Sequence, residues 1–111
     1  MPRDSIAFEL AGLRHAADQA CRLMKVLSNR DRLLLLCQLA DGEQRVGELE
    51  ARVGVTQPTL SQQLGVLRDQ GLVSTRREGK AIYYRIDSAQ AQAVMRTLHE
   101  QFCQPATDNP A

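Results

Sequence analysis

A mainly α-helical domain carrying one small β-hairpin is the fold class this 111-residue sequence predicts, on three observations. A short helical pattern opens at Val46-Gly47-Glu48-Leu49 and stops at Gly54. A second follows after a tight turn, with Leu60, Leu64 and Leu67 recurring at spacings of four and three. Two strand-like runs then flank the basic, glycine-containing stretch Arg76-Arg77-Glu78-Gly79-Lys80. Helix, turn, helix and basic ribbon in that order predict a winged helix-turn-helix, with five helices and two antiparallel strands in all.

Each element has a local reason. Residues 5–27 carry an apolar stripe at Leu10, Leu13, Ala17, Ala20, Met24 and Leu27, interrupted mildly by Gly12. Ser28-Asn29 can cap a second helix from about Arg30 to Ala40, which Asp41-Gly42 ends. Its leucines 33 to 36 and Leu39 exceed what one face can hide, so this helix belongs in the centre of the domain. A third helix spans Val46 to Val53, closed by Gly54 in a left-handed conformation. Thr56 is expected to cap the fourth, with Pro58 in its first turn and Gly71 ending it. Leu72 to Arg76 and Ala81 to Ile86 are the expected strands, turning at Glu78-Gly79. Residues 88–103 form a last helix with its stripe at Ala91, Val94, Met95, Leu98 and Phe102, and residues 104–111 a frayed polar tail. The whole chain reads as one domain: residues 46–70 the helix-turn-helix, 72–86 the wing, 5–27 and 88–103 the helices left to pair with a second copy.

Composition narrows the function classes. No apolar run approaches the roughly 18 residues of a membrane span, and Met1-Pro2-Arg3-Asp4 lacks the apolar core of a signal peptide, so a cytoplasmic location is expected. Net charge is only +1, but residues 45–85 carry seven basic and four acidic side chains, so the positive excess coincides with the helix-turn-helix and wing. Three cysteines without a Cys-x-x-Cys pair suit neither a disulfide scaffold nor a zinc ribbon. No cofactor loop, carboxylate pair or Ser-His arrangement points to an enzyme.

The polar side of the fourth helix supplies Thr56, Gln57, Thr59, Ser61, Gln62 and Gln63. Such short donors and acceptors fit a major groove, where glutamine can bond adenine twice and Ser or Thr can bond bases or phosphates. Arg76, Arg77 and Lys80 at the hairpin are suited to phosphates or a neighbouring minor groove. Double-stranded DNA is therefore the expected partner. Leu13, Ala17, Ala20, Met24, Leu98 and Phe102 add more apolar surface than a five-helix monomer can cover, which predicts a homodimer through the first and last helices.

The run from Gly54 to Arg68, with Gly71-Leu72-Val73, Arg76-Arg77-Glu78-Gly79 and Tyr83-Tyr84, resembles the ArsR/SmtB family of bacterial repressors over about residues 18–103. The resemblance implies a homodimer joined by its first and last helices, an imperfect inverted-repeat operator, and release from DNA when an inducer binds or reacts. Many members carry histidine where this chain has Gln63, which alters a contact but not the architecture.

Metal sensing in that family implies ligands this chain lacks. The arsenic and cadmium type has a Cys-x-Cys in the third helix, where Arg45-Val46-Gly47-Glu48 stands here. The zinc type draws Asp, His and Glu ligands from the last helix, at positions occupied by Ser88, Gln90, Gln101 and Gln104. Glutamine is a poor substitute for such ligands, so no metal and no cofactor are expected, and His15 and His99 read as ordinary surface or interface residues. Cys37 within the leucine-rich helix, and Phe102-Cys103 ending the last, are similar to the SqrR/BigR/HlyU subgroup. That resemblance implies a sensing pair, Cys37 and Cys103, that reacts with persulfide, another reactive sulfur species or an oxidant. Cys21 beside the first helix's stripe reads as an interface residue. Three readings stay open on the residues alone: a thiol-switched repressor, a regulator whose cysteines are structural and whose inducer differs or is absent, and an interaction module that has lost DNA binding. The basic wing argues against the last.

Overall fold

A computed structural model describes residues 9–103. The chain runs α1 (Leu10–Leu27), α2 (Arg30–Leu39), β1 (Gln44–Arg45), α3 (Val46–Val53), α4 (Thr59–Asp69), β2 (Val73–Glu78), β3 (Ala81–Ile86) and α5 (Ala89–Phe102). The expected start of the first helix at residue 5 and the polar tail at 104–111 lie outside the described residues.

Helix α2 is central, as its leucine content required, and packs against α1, α3, α4, α5 and β3. Asn29 caps it: its side-chain oxygen accepts from Arg32 N at 3.0 Å. Leu35, Leu36 and Leu39 are fully buried with Leu49 of α3, Leu60, Leu64 and Leu67 of α4, and Met95 of α5. Gly54 ends α3 at φ +77°, a left-handed conformation that a Cβ would penalise. Ser88 caps α5 through a bond from Ala91 N to its hydroxyl.

The structure departs from the sequence reading at three places. The sheet has three strands, ordered β1-β3-β2, because Gln44 and Arg45 pair antiparallel with Tyr84 and Tyr83. Two residues are too few for alternation to be visible, and the buried Gln44 is anchored by its Nε2, which donates to Gln38 O at 2.9 Å, while among the described residues its Oε1 has no partner. The hairpin is longer than expected: Glu78 pairs with Ala81, so Gly79-Lys80 makes the turn, with Gly79 at φ +63°. At the start of α4 the capping side chain is Gln57, not Thr56. Its Oε1 accepts from Ser61 N and Ser61 Oγ, while Thr56 contributes its backbone carbonyl to Leu60 N. Gln57 and Pro58 form a turn ahead of Thr59, and Pro58, the residue just before α4, has no side-chain group to cap with, so the longer Gln57 side chain reaches Ser61 instead.

Helix α1 stands largely apart. Of its residues only Val26 is buried, and Leu10, Leu13 and Met24 are exposed, as is Phe102 on α5. A cleft of about 520 Å³ runs between α1 and the starts of β2 and α5, lined by Ala20, Leu23, Leu72 and Val94 among others.

Candidate DNA-binding surface and thiol pocket

The polar face of α4 lies open. Thr56, Gln57, Ser61 and Gln62 are exposed, and Thr59 and Gln63 are half-buried at its margins. Two of its glutamines are tethered: Gln57 to Ser61, as above, and Gln63 to α2, where its Oε1 accepts from Arg32 Nη1 at 2.9 Å. Arg32 also donates from Nε to Val26 O at 2.7 Å, so one guanidinium joins the end of α1 to α4. That carbonyl lies in the last turn of α1 and has no partner within its own helix.

On the wing the three basic residues are not equivalent. Arg76 grips Glu43 through Nε at 2.8 Å and Nη2 at 2.7 Å, takes Glu78 at 2.9 Å, and lies 4.4 Å from the Tyr83 ring centre. These carboxylates push the Arg76 pKa upward, and the hydrogen bond from Arg76 holds the Glu43 carboxyl below its ordinary value. The charge of Arg76 is thus spent mainly inside the protein. Arg77 and Lys80 are exposed, and among the described residues neither forms an ion pair. The Glu43–Arg76 link was not foreseeable from local pattern. It arises because β1 and β2 flank β3, with Arg45 and Arg76 both opposite Tyr83.

The second site lies between α2 and α5. Cys37, Ala40, Asp41, Gln92, Met95, Arg96, His99 and Cys103 surround a pocket of about 210 Å³. Cys37 is exposed rather than packed in the core, and its thiol donates to Met95 Sδ at 3.6 Å. Partial desolvation where it faces the pocket pushes the Cys37 thiol up from its ordinary value, and the neighbouring Cys103 adds to that shift. Gln92 Nε2 donates to Ala40 O at 3.2 Å and fastens α5 to the end of α2, while Cys103 N donates to His99 O and closes α5. Both thiols are free. Cys21 is exposed on α1 and does not line the pocket. His99, read from sequence as an unremarkable surface residue, faces the same cavity. Among the described residues no three His, Cys, Asp or Glu side chains converge to hold a metal ion, and no helix is long and apolar enough to cross a membrane.

A helix-turn-helix with an open polar face beside a basic hairpin defines a winged-helix DNA-binding regulator. The comparisons with known proteins agree. The sequence profile described as "Bacterial regulatory protein, arsR family" matches residues 29–75. The chain is 46% identical over 104 residues to the biofilm growth-associated repressor of Agrobacterium fabrum, covering 94% of this chain and 89% of that protein. Its fold is similar to the crystal structure of the transcriptional repressor BigR from Xylella fastidiosa (TM-score 0.80, 45% identity, 88% of this chain and 100% of that one). It is also similar to reduced HlyU from Vibrio cholerae (TM-score 0.81, 39% identity, 86% and 100%). The chain belongs to the ArsR family of bacterial regulatory proteins, and is a DNA-binding transcriptional regulator rather than an enzyme.

Proposed function

We propose that this regulator is a homodimeric repressor that holds an inverted-repeat operator while Cys37 and Cys103 are reduced and lets go when they react with a persulfide or a related oxidant. The observation that carries the reading is that two free thiols from different helices, α2 and α5, line one pocket. Related proteins bearing the name repressor support the direction of control. The exposed apolar residues of α1 and α5 support the dimer.

The chemistry balances with a low-molecular-weight persulfide as oxidant. The Cys37 sulfur, as thiolate, attacks the outer sulfur of R–S–SH, giving Cys37–S–SH and RSH. The Cys103 thiolate then attacks the Cys37 sulfur of that persulfide, forming the disulfide and releasing H₂S. The two cysteine sulfurs are oxidised and the transferred sulfur is reduced. A second equivalent of persulfide, converting Cys103 to its own persulfide with loss of a second RSH before it displaces H₂S from Cys37, would leave one sulfur in the bridge and lengthen its reach beyond the roughly 7 Å Cα limit of a direct disulfide. A bridge between α2 and α5 would pull on the joint fastened by Gln92 and Ala40, and so on the spacing of the two reading heads.

The test is intact mass together with operator binding, before and after organic persulfide. The expected product is an intramolecular Cys37–Cys103 crosslink with weakened binding. Cys37→Ser and Cys103→Ser should bind DNA but no longer release it, and Cys21→Ser should respond like the wild type. If both single variants remain inducible, the cysteine pair is structural.

A further inference from the structure

The three glutamines around the start of α4 do not have the same hydrogen-bonding capacity left. Arginine carries only donors, so the Gln63 amide must turn its oxygen toward Arg32. Ser61 N–H likewise fixes the Gln57 oxygen against its own helix. Gln62 is exposed and, among the described residues, has no side-chain partner, so both halves of its amide are free. Position on the helix agrees. At about 100° per residue, Gln62 stands roughly 160–200° from the buried Leu60 and Leu64, at the middle of the open face, whereas Gln63 borders the buried stripe. One turn further along that face is Gly65, where an added Cβ would meet nothing within 4 Å. A glycine inside a helix is destabilising relative to alanine. Nothing within the chain needs its missing side chain, but a surface approaching from outside would.

We propose that Gln62 is the residue of α4 that specifies a base pair, accepting from N6 and donating to N7 of one adenine in each half-site. Gln63 is a positioning residue, its carbonyl held by an Arg32 that is itself fixed to Val26 O and, through its backbone N–H, to Asn29. Gln63 keeps only outward N–H donors, which suit a phosphate or a single acceptor but not the paired adenine contact. This rests on the proposed reading of an operator by α4.

The experiment begins with the full-length wild-type protein selecting duplexes from a pool randomised over 20 or so base pairs (about two half-sites one turn apart). Each base pair of the enriched site is then substituted, and the selected adenine is also replaced by 7-deazaadenine, which lacks the N7 acceptor. The wild type should lose about tenfold or more on either change at that position. Gln62→Ala should bind all four base pairs there within about twofold and show no further loss with 7-deazaadenine. Gln63→Ala should weaken binding to every sequence without reordering them, and Gln63→Glu, which can still accept from Arg32, should keep the wild-type ranking. The assignment is overturned if Gln62→Ala retains the wild-type preference, or if the preference it loses is not for adenine. It is equally overturned if Gln63→Ala is the variant that abolishes selection. A wild-type protein that enriches no sequence would bring down the operator reading itself; enrichment by wild type and by Gln62→Ala of the same sequence would bring down only the role of Gln62.

Discussion

At the scale of single residues, the same helix shows how differently neighbours contribute. Leu36 on α2 is fully buried between helices, and Leu36→Ala should cost about 2–5 kcal/mol because it removes transfer energy and leaves a cavity. Asn29→Ala, which frees Arg32 N at the head of that helix, should cost about 1 kcal/mol. Urea unfolding of the two variants checks both values, and an Asn29→Ala loss as large as that of Leu36→Ala would show that Asn29 does more than cap. Cys37, one residue beyond Leu36, faces a pocket rather than the core. Desolvation and the neighbouring Cys103 raise its thiol pKa, so nothing in its surroundings activates the thiolate, and the proposed switch rests on the two thiols sharing one pocket.

At the scale of elements, the wing is tied to the body by Arg76 and reaches outward with Arg77 and Lys80. The Glu43 carboxyl has a depressed folded pKa, so its contribution to stability is full above the unfolded value of about 4.3 and is lost as pH falls through the lower folded value. Glu43→Gln should therefore lose less stability than the wild type between neutral pH and the acid side of that window, as read from denaturant midpoints. Equal losses would mean that the ion pair contributes nothing to the folded state. Arg77→Ala and Lys80→Ala test the outward function of the wing. Each should weaken binding to all DNA sequences and lower the slope of log K against log salt by about one. Wing variants that bind as tightly as wild type at every salt concentration would remove these residues from the phosphate contacts.

At the scale of the whole molecule, α1 is the informative element. An 18-residue helix with one buried residue and exposed Leu10, Leu13 and Met24 is poorly stabilised by its own chain. Pairing with the α1 and α5 of a second copy would cover this surface together with Phe102. Sedimentation at micromolar concentration should give twice the chain mass, and Leu13→Glu combined with Met24→Glu should shift the protein to monomer with at least a tenfold weaker grip on a two-half-site operator, a rough expectation from the loss of linked binding. A wild-type monomer would sink the two-fold arrangement while leaving each reading head intact.

Much of this protein was determined locally and was therefore legible in the sequence. Leucine spacing placed α2 at the centre and set the buried side of α4, Gly54 marked the end of α3, and the order of elements with the basic hairpin announced DNA. These signals need only neighbours along the chain, since helical periodicity and glycine sterics act over a few residues. What tertiary structure alone decided depends on partners distant in sequence. The two-residue β1 exists because β3 offers it an edge, and its register brings Glu43 to Arg76 across 33 positions. Arg32 reaches Gln63 across 31, and so separates two adjacent glutamines that composition treats alike. The resemblance implied that Cys37 and Cys103 act together; their placement on one pocket follows from how α5 packs on α2. Hydrogen bonds and thiol chemistry act at contact distance, and only the packed chain sets which distant residues come into contact.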